Sequence, residues 1–175
     1  RVVYVGTFSK TLLPGLRLGF AVVPPTLRSA VRSARAAADG HGPVATEAAL
    51  ARFMDEGLLA RHIRRTSKVY AERRSAVLSG LTGPLAPYLE PVPSAAGLHV
   101  CALPRPEAGS AVAATADAVA ARARAAGVAV GTLRTYQASS GGPAGLVLGY
   151  GAIDAADVPA GLELLAAAFR SVTPR

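Results

Sequence analysis

Short apolar runs and one long helical pattern follow each other along the chain. Two runs near the start, residues 2–5 and 18–23, are short and rich in β-branched side chains, which is typical of buried strands. From Val44 to about Ser79 there is no proline, and apolar positions recur at helical spacing around one glycine, Gly57. Because periodic runs longer than ~25 residues are unusual in one globular domain, this pattern predicts a long helix with a kink near Gly57.

The C-terminal half alternates strand and helix patterns after a stretch rich in glycine and proline, residues 80–93, which we interpret as a linker. The predicted elements are a strand at 97–103, a helix at 110–126, strands at 128–133 and 145–150, and a helix at 155–169. This order predicts an α/β or α+β module with helices on one face of a sheet.

The loop between the first two strands carries the candidate chemistry: Thr7, Ser9, Lys10 and Arg17, with Pro14-Gly15 as a turn. A lysine held on a turn against an apolar wall can act as an amine nucleophile. Hydroxyls and a guanidinium suit a phosphate, since both donate to its oxygens and the guanidinium fork binds bidentately. An aldehyde cofactor with a phosphate satisfies both halves, which predicts pyridoxal 5′-phosphate (PLP) joined to Lys10. The alternative is a solvated loop lysine and an ordinary surface arginine.

Four segments carry a resemblance to a known family, and they span nearly the whole chain. They are GTFSK with LPGLRLG (residues 6–19), EGLLARHIRR continuing to YAERR (56–74), SAAGLHV (94–100) and GLVLGY (145–150). The first resembles the cofactor-lysine segment of fold-type I aminotransferases. In detail, the set resembles the aminotransferase-like domain of MocR-type regulators, a branch of the GntR transcription factors.

The resemblance implies an α/β fold, namely the C-terminal part of a fold-type I PLP-dependent transferase. Residues 1–43 would be the C-terminal piece of the PLP-binding large domain, at the end of its sheet. Residues 44–93 would be a long inter-domain helix and linker, and residues 94–175 the small C-terminal domain. A complete enzyme of this fold is far longer, and the chain starts at Arg1 rather than Met, so we expect an N-terminally truncated part of a larger polypeptide.

The resemblance also implies residue roles. Lys10 would be the catalytic lysine that forms the Schiff base, and Thr7, Ser9 and Arg17 would hold the phosphate. In this family the carboxylate that protonates the pyridine nitrogen and the ring-stacking aromatic lie upstream of Arg1. This chain by itself is therefore expected to have little or no transaminase activity.

One position departs from the family pattern. The closing strand of the family often carries an arginine for the substrate α-carboxylate just before the Leu-Gly-aromatic triplet, and Val147 stands there in this chain. Either the ligand is not a simple amino acid, or another residue supplies the charge. Arg134, on the strand before the loop at 137–143, is the nearby candidate.

Composition bears on four further features: disorder, disulfides, metal sites and membrane spans. Half of the residues are hydrophobic (51%), which argues against disorder. The single cysteine, Cys101, excludes an internal disulfide, and His41, His62 and His99 lack partners at metal-ligand spacing, so no metal site is predicted. No apolar run is long enough to span a bilayer.

The net charge of +8 raises the question of nucleic-acid binding. The helix pattern concentrates this charge, but aromatic residues for base stacking are nearly absent from it, so we interpret it as a solvated helix face. The basic positions are Arg61, Arg64, Arg65, Lys68, Arg73 and Arg74.

Four functional hypotheses remain. The first is a PLP-binding effector domain of a MocR/GntR-type regulator: a cytoplasmic homodimer that responds to a small amino compound or amino acid and binds DNA through a domain upstream of this chain. The second is a stand-alone class I/II aminotransferase acting on an amino acid. The third is a non-catalytic basic module, with polyanion binding that falls steeply with salt. The fourth is a truncated chain that does not fold productively, since its first strand exposes an unpaired edge.

Overall fold

A computed structural model describes residues 2–95, 97–105, 109–139 and 141–172, with the backbone alone for residues 109–115. Arg1 and Ala96, which belong to predicted segments, lie outside these residues. The chain divides into two compact units, Arg1–Arg65 and Thr66–Arg175. The division at residues 43 and 93 stays a prediction.

The first unit contains an antiparallel ribbon followed by helices. Strand β1 (Tyr4–Thr7) pairs with β2 (Gly19–Val22) in the register that sets Thr7 opposite Gly19. Helices α1 (Arg28–Asp39) and α2 (Val44–Asp55) follow. The predicted strand–loop–strand is therefore present.

The expectation that these two strands are buried is wrong. Val5 and Val22 are 72% and 60% exposed, and Leu18, at 7%, is the sole buried hydrophobic residue of this unit among those described. Periodicity reports which residues would form a core, but it cannot supply the second layer that a sheet needs. Within the described residues this ribbon has no further strand beside it.

The predicted kink near Gly57 is a complete break between two helices. Gly57 has φ +70°, a left-handed conformation that glycine adopts without steric cost. Its N–H donates to the Met54 carbonyl at 2.9 Å, and α3 (Leu58–Thr82) begins at the next residue. The boundary between the two units falls inside α3.

In the described residues of the second unit, a four-stranded antiparallel sheet has the order β3-β4-β6-β5. Its strands are β3 (Leu89–Pro91), β4 (His99–Pro104), β5 (Gly131–Thr132) and β6 (Leu146–Gly149), and its helices are α4 (Gly109–Ala125) and α5 (Val158–Val172). Because every pairing is antiparallel, this unit is the α+β form of the predicted module.

The core of this unit corrects the interpretation of residues 80–93 as a linker. Leu81, Leu85 and Leu89 are among its most buried side chains, and Tyr88 stacks on Phe169 with ring centroids 4.8 Å apart. Glycine and proline correctly predict a turn here, but the leucines between them belong to the hydrophobic core. Residues 80–93 therefore pack as part of the domain.

Two helical glycines in this unit give a matched stability prediction. A Cβ on Gly80 would lie 2.2 Å from Leu162 Cδ1 and 3.1 Å from its Cγ, whereas a Cβ on Gly161 would meet nothing within 4 Å. We expect Gly80→Ala to lower the free energy of unfolding by about 1–2 kcal/mol, because Leu162 is buried and must shift. Gly161→Ala should raise it by up to ~1 kcal/mol through helix propensity. Urea unfolding followed by tyrosine fluorescence tests both, and equal effects would contradict the packing described.

Candidate functional site

The β1–β2 loop is held to the ribbon by backbone hydrogen bonds on either side of its turn. Phe8 N–H donates to the Leu18 carbonyl at 3.0 Å, and Leu12 N–H donates to the Phe8 carbonyl at 2.7 Å. A short 3-10 turn, Pro14–Leu16, leads back toward β2. Lys10 thus lies on a tight turn anchored at Phe8.

An aromatic cluster supports the base of this loop. The ring of Phe20 lies 5.4 Å from that of Phe8 and 5.8 Å from that of Tyr4, measured between centroids. Phe20 is directly across from Gly6, where an added Cβ would lie 2.4 Å from the ring. The absence of a side chain at Gly6 lets the ring cover the strand, so the strand leading into the loop is braced from one face.

The structure brings the two predicted hydroxyls together. Thr7 Oγ1 and Ser9 Oγ are 2.9 Å apart, and the Ser9 N–H donates to Thr7 Oγ1 at 3.1 Å. A hydroxyl that bonds to the backbone two residues away fixes the local turn. Because the Thr7 hydroxyl donates to Ser9 Oγ, the Ser9 hydroxyl hydrogen is left for another acceptor.

Lys10 is exposed, and within the described part of the chain it makes no hydrogen bond or ion pair. The described residues of the first unit do not form the apolar wall expected around Lys10, because within them no second layer covers the ribbon. The backbone of the turn consequently fixes where the Lys10 side chain starts, and no hydrogen bond within the described residues fixes its amine.

Arg17 has a conformation that the sequence pattern did not reveal. Its φ and ψ are 52° and 35°, in the left-handed region, and it is the sole non-glycine residue with positive φ among those described. Its N–H donates to the Pro14 carbonyl at 3.2 Å, which closes the 3-10 turn. A side chain in this region costs roughly 1 kcal/mol relative to glycine. Strained backbone of this kind clusters at active sites and ligand-binding loops.

Arg134 belongs to the second unit, in a 3-10 turn (Leu133–Tyr136) rather than on the predicted strand. Its side chain is 79% exposed, and its Nε lies 2.7 Å from Asp117 Oδ2. Both residues line a cavity of about 550 Å³ together with Thr132 and Gln137. A carboxylate ligand at Arg134 would have to compete with Asp117.

Val147 faces the sheet side opposite the main core. It is buried on β6, opposite Cys101 of β4 and Gly131 of β5. Neighbouring Leu146 and Leu148 belong to the core cluster, as alternation along a strand requires. Position 147 therefore offers methyl groups and no charge.

The basic positions of α3 divide into two groups. Arg73 Nη1 donates to the Gly151 carbonyl at 2.7 Å with its side chain 14% exposed, and Arg74 donates to the Ser94 carbonyl. These two belong to the packing of the second unit, which corrects the expectation of one solvated face. The exposed positions are Arg61, Arg64, Arg65 and Lys68.

One contact at the site was missed by the sequence reasoning. His62 Nε2 lies 2.9 Å from the carbonyl oxygen of Thr11, the residue after Lys10. The two residues are 51 positions apart, and no spacing rule links a histidine on a helix to a distant carbonyl. The sequence pattern around His62 indicates only an ordinary residue of a basic helix.

Two other site classes find no support in the described residues. No group of three His, Cys, Asp or Glu side chains within them is placed to hold a metal ion. A membrane-spanning helix needs about 20 apolar residues, and none of the helices that the structure describes meets that requirement.

A lysine loop joined to a ribbon, a long helix and a small antiparallel domain is the arrangement of an aminotransferase-type fold. The chain belongs to the aminotransferase class I and II family, whose model matches residues 1–146. It is 42% identical over 103 residues to the probable rhizopine catabolism regulatory protein MocR of Rhizobium meliloti, covering 58% of this chain and 21% of that protein.

Solved aminotransferases match nearly the whole chain. The kynurenine aminotransferase of Pyrococcus horikoshii, solved with PMP, covers 100% of it with a TM-score of 0.82 and 26% identity. LysN, the alpha-aminoadipate aminotransferase of Thermus thermophilus, covers 98% with a TM-score of 0.79 and 26% identity. In both comparisons the match covers 42% of the longer chain. The predicted fold class is confirmed.

Proposed function

We propose that this chain is the PLP-binding, aminotransferase-like effector part of a MocR/GntR-type transcriptional regulator, with Lys10 as the Schiff-base lysine. The observation that carries the proposal is the β1–β2 loop, which combines an exposed amine, a hydroxyl pair and an arginine in a costly backbone conformation. The similarity to MocR supports the regulatory role. Residues 1–43 and 94–175 are assigned to a large and a small domain, joined by residues 44–93, of which residues 80–93 pack with the core of the small domain.

The donor set of the loop fits an aldehyde that carries a phosphate. The Ser9 hydroxyl, and the Thr7 hydroxyl once its hydrogen turns away from Ser9 Oγ at 2.9 Å, can donate to oxygens of one phosphate. The Arg17 guanidinium can donate two further N–H groups to the same phosphate. The Lys10 amine supplies the nucleophile for the aldehyde carbon. The chemistry of each half of the cofactor thus has a partner on one short loop.

The bound cofactor would supply an electron sink for negative charge at the α-carbon of an amine. Thr7, Ser9 and Arg17 would hold the phosphate, and this would present the aldehyde to Lys10 at a high effective concentration. In a transaminating site, Lys10 Nζ would also take and return the α-proton. All of these roles require the loop to hold the four side chains in a fixed orientation.

Val147 is the residue of the second unit that departs from the family pattern for carboxylate binding. An uncharged, buried side chain at this strand position cannot pair with an α-carboxylate, and Arg134 is engaged by Asp117. We therefore favour a small amino compound whose recognition does not depend on a carboxylate bound at this strand. The complete protein is proposed to be a cytoplasmic homodimer that binds DNA through a domain outside this chain.

A stand-alone class I/II aminotransferase is the second candidate, favoured by the solved enzymes that match 98–100% of the chain. Spectroscopy of the complete polypeptide loaded with PLP separates the two. For the regulator we expect amines to change the cofactor absorbance and the affinity for operator DNA, with no sustained consumption of a 2-oxo acid. Sustained turnover would overturn the regulator in favour of the enzyme. No spectral change on adding PLP would overturn both and leave the basic module.

A further inference from the structure

His62 connects helix α3 to the turn that carries Lys10. Its Nε2 lies 2.9 Å from the Thr11 carbonyl oxygen, and its side chain is half-buried. Both residues belong to the first unit. The contact therefore joins the peptide directly after Lys10 to an element that lies far along the chain from it.

The direction of this hydrogen bond follows from its partners. A carbonyl oxygen can only accept, so His62 Nε2 must carry the hydrogen and donate. A side chain that cannot donate from this position leaves the Thr11 carbonyl without that bond. The bond thus depends on the donor at Nε2 and on where α3 begins, which Gly57 sets through its left-handed φ of +70°.

The contact completes the anchoring of the turn. Before Lys10, the Phe8 N–H donates to the carbonyl of Leu18, the residue before β2, and the Leu12 N–H donates back to the Phe8 carbonyl. After Lys10, the Thr11 carbonyl is tied to α3 through His62. The Lys10 side chain makes no hydrogen bond or ion pair within the described residues, so these backbone hydrogen bonds determine the region that its amine can reach.

We propose that His62 is a positioning residue for Lys10. By donating Nε2–H to the Thr11 carbonyl, it holds the turn in the geometry that presents the lysine amine to the cofactor aldehyde. A reaction between two groups held in place is sensitive to displacements of about 1 Å. A hydrogen bond on each side of the nucleophile therefore matters more for the reaction than its small contribution to stability implies. The inference rests on the proposed role of Lys10.

Amide hydrogen exchange in the cofactor-free complete polypeptide tests the hydrogen bond between His62 and the Thr11 carbonyl. His62→Leu removes the donor, whereas His62→Gln places an amide donor at nearly the same distance from the backbone. We expect exchange in the peptide covering residues 8–12 to rise about fivefold in His62→Leu, the ratio that ~1 kcal/mol for one hydrogen bond gives. His62→Gln should stay near the wild-type rate. The matched control is His99→Leu, an exposed histidine of the second unit, which should leave this peptide unchanged.

Cofactor binding tests the functional consequence in the same variants. We expect the PLP dissociation constant to rise at least about fivefold in His62→Leu and to be restored by His62→Gln. If His62→Leu leaves both exchange and affinity unchanged, or if His62→Gln fails as His62→Leu does, the positioning role is overturned. If wild-type protein does not attach PLP at Lys10, the proposed function falls and this inference with it. Normal wild-type attachment with an unaffected His62→Leu overturns the inference alone.

Discussion

Lys10→Arg is expected to abolish covalent attachment of PLP while leaving the fold intact. Arginine keeps the positive charge, but its guanidinium stays protonated and cannot attack an aldehyde. Lys10 is exposed, and its side chain makes no hydrogen bond or ion pair within the described residues that the substitution would break. The remaining hydroxyl and arginine contacts should bind the cofactor weakly, with apparent affinity lower by on the order of 100-fold or more, because covalent capture depends on proximity. Absorbance of the dialysed protein measures the loss.

The chain offers a matched control for this substitution. It contains two lysines, Lys10 and Lys68, and its other 17 basic residues are arginines. Lys68 is exposed on α3, so Lys68→Arg should leave cofactor attachment unchanged. Equal loss in both variants, or attachment that survives Lys10→Arg, would contradict the assignment.

Arg17→Gly is expected to separate binding from stability in opposite directions. Glycine adopts a φ of 52° without steric strain, so the free energy of unfolding should stay equal or rise by up to ~1 kcal/mol. The phosphate loses a charge-assisted partner worth about 1.5–3 kcal/mol, which corresponds to about 10- to 150-fold weaker PLP binding. Thermal unfolding and a PLP titration measure the two effects.

Two further variants distinguish geometry from charge. Arg17→Lys keeps the charge and loses the planar fork, and we expect an intermediate affinity for PLP. Arg32→Gln removes one charge from the exposed surface of α1, and it should change neither property. If Arg32→Gln weakens binding as much as Arg17→Gly, the net charge of the protein governs binding, and Arg17 has no specific role.

The local parts of the site were predictable from the sequence. The residue types of β1, the turn and β2 lie next to each other along the chain, so their order alone sets Thr7 at the end of β1 and Ser9 and Lys10 on the loop after it. The hydroxyl pair forms between residues two positions apart, within the reach of a single turn. The break at Gly57 likewise follows from one residue type in a long helical pattern.

What the sequence did not predict depends on contacts between distant residues or on backbone angles. The exposure of Val5 and Val22 depends on which layer covers the ribbon, and periodicity contains no information on that layer. The His62–Thr11 contact spans 51 positions. Arg17 occupies a left-handed conformation that is usual for glycine, and the sequence Pro14-Gly15-Leu16-Arg17 does not predict this conformation.

Arginine usage adds a physical argument for Lys10 that the loop pattern did not contain. In a chain that uses arginine for 17 of 19 basic positions, a lysine stands at the turn where an amine would be needed. Charge, bidentate hydrogen bonding and stacking are all available from arginine. Schiff-base formation is not, which is the property that distinguishes the two side chains here.

The most direct test is reduction of the PLP-treated protein with borohydride, followed by mass spectrometry of its peptides. Borohydride fixes a Schiff base as a stable phosphopyridoxyl group, and with two lysines in the chain the modified one is unambiguous. We predict the label on the peptide that contains Lys10, with none on the peptide that contains Lys68. Label on Lys68, equal label on both, or no label would contradict a cofactor site at the β1–β2 loop.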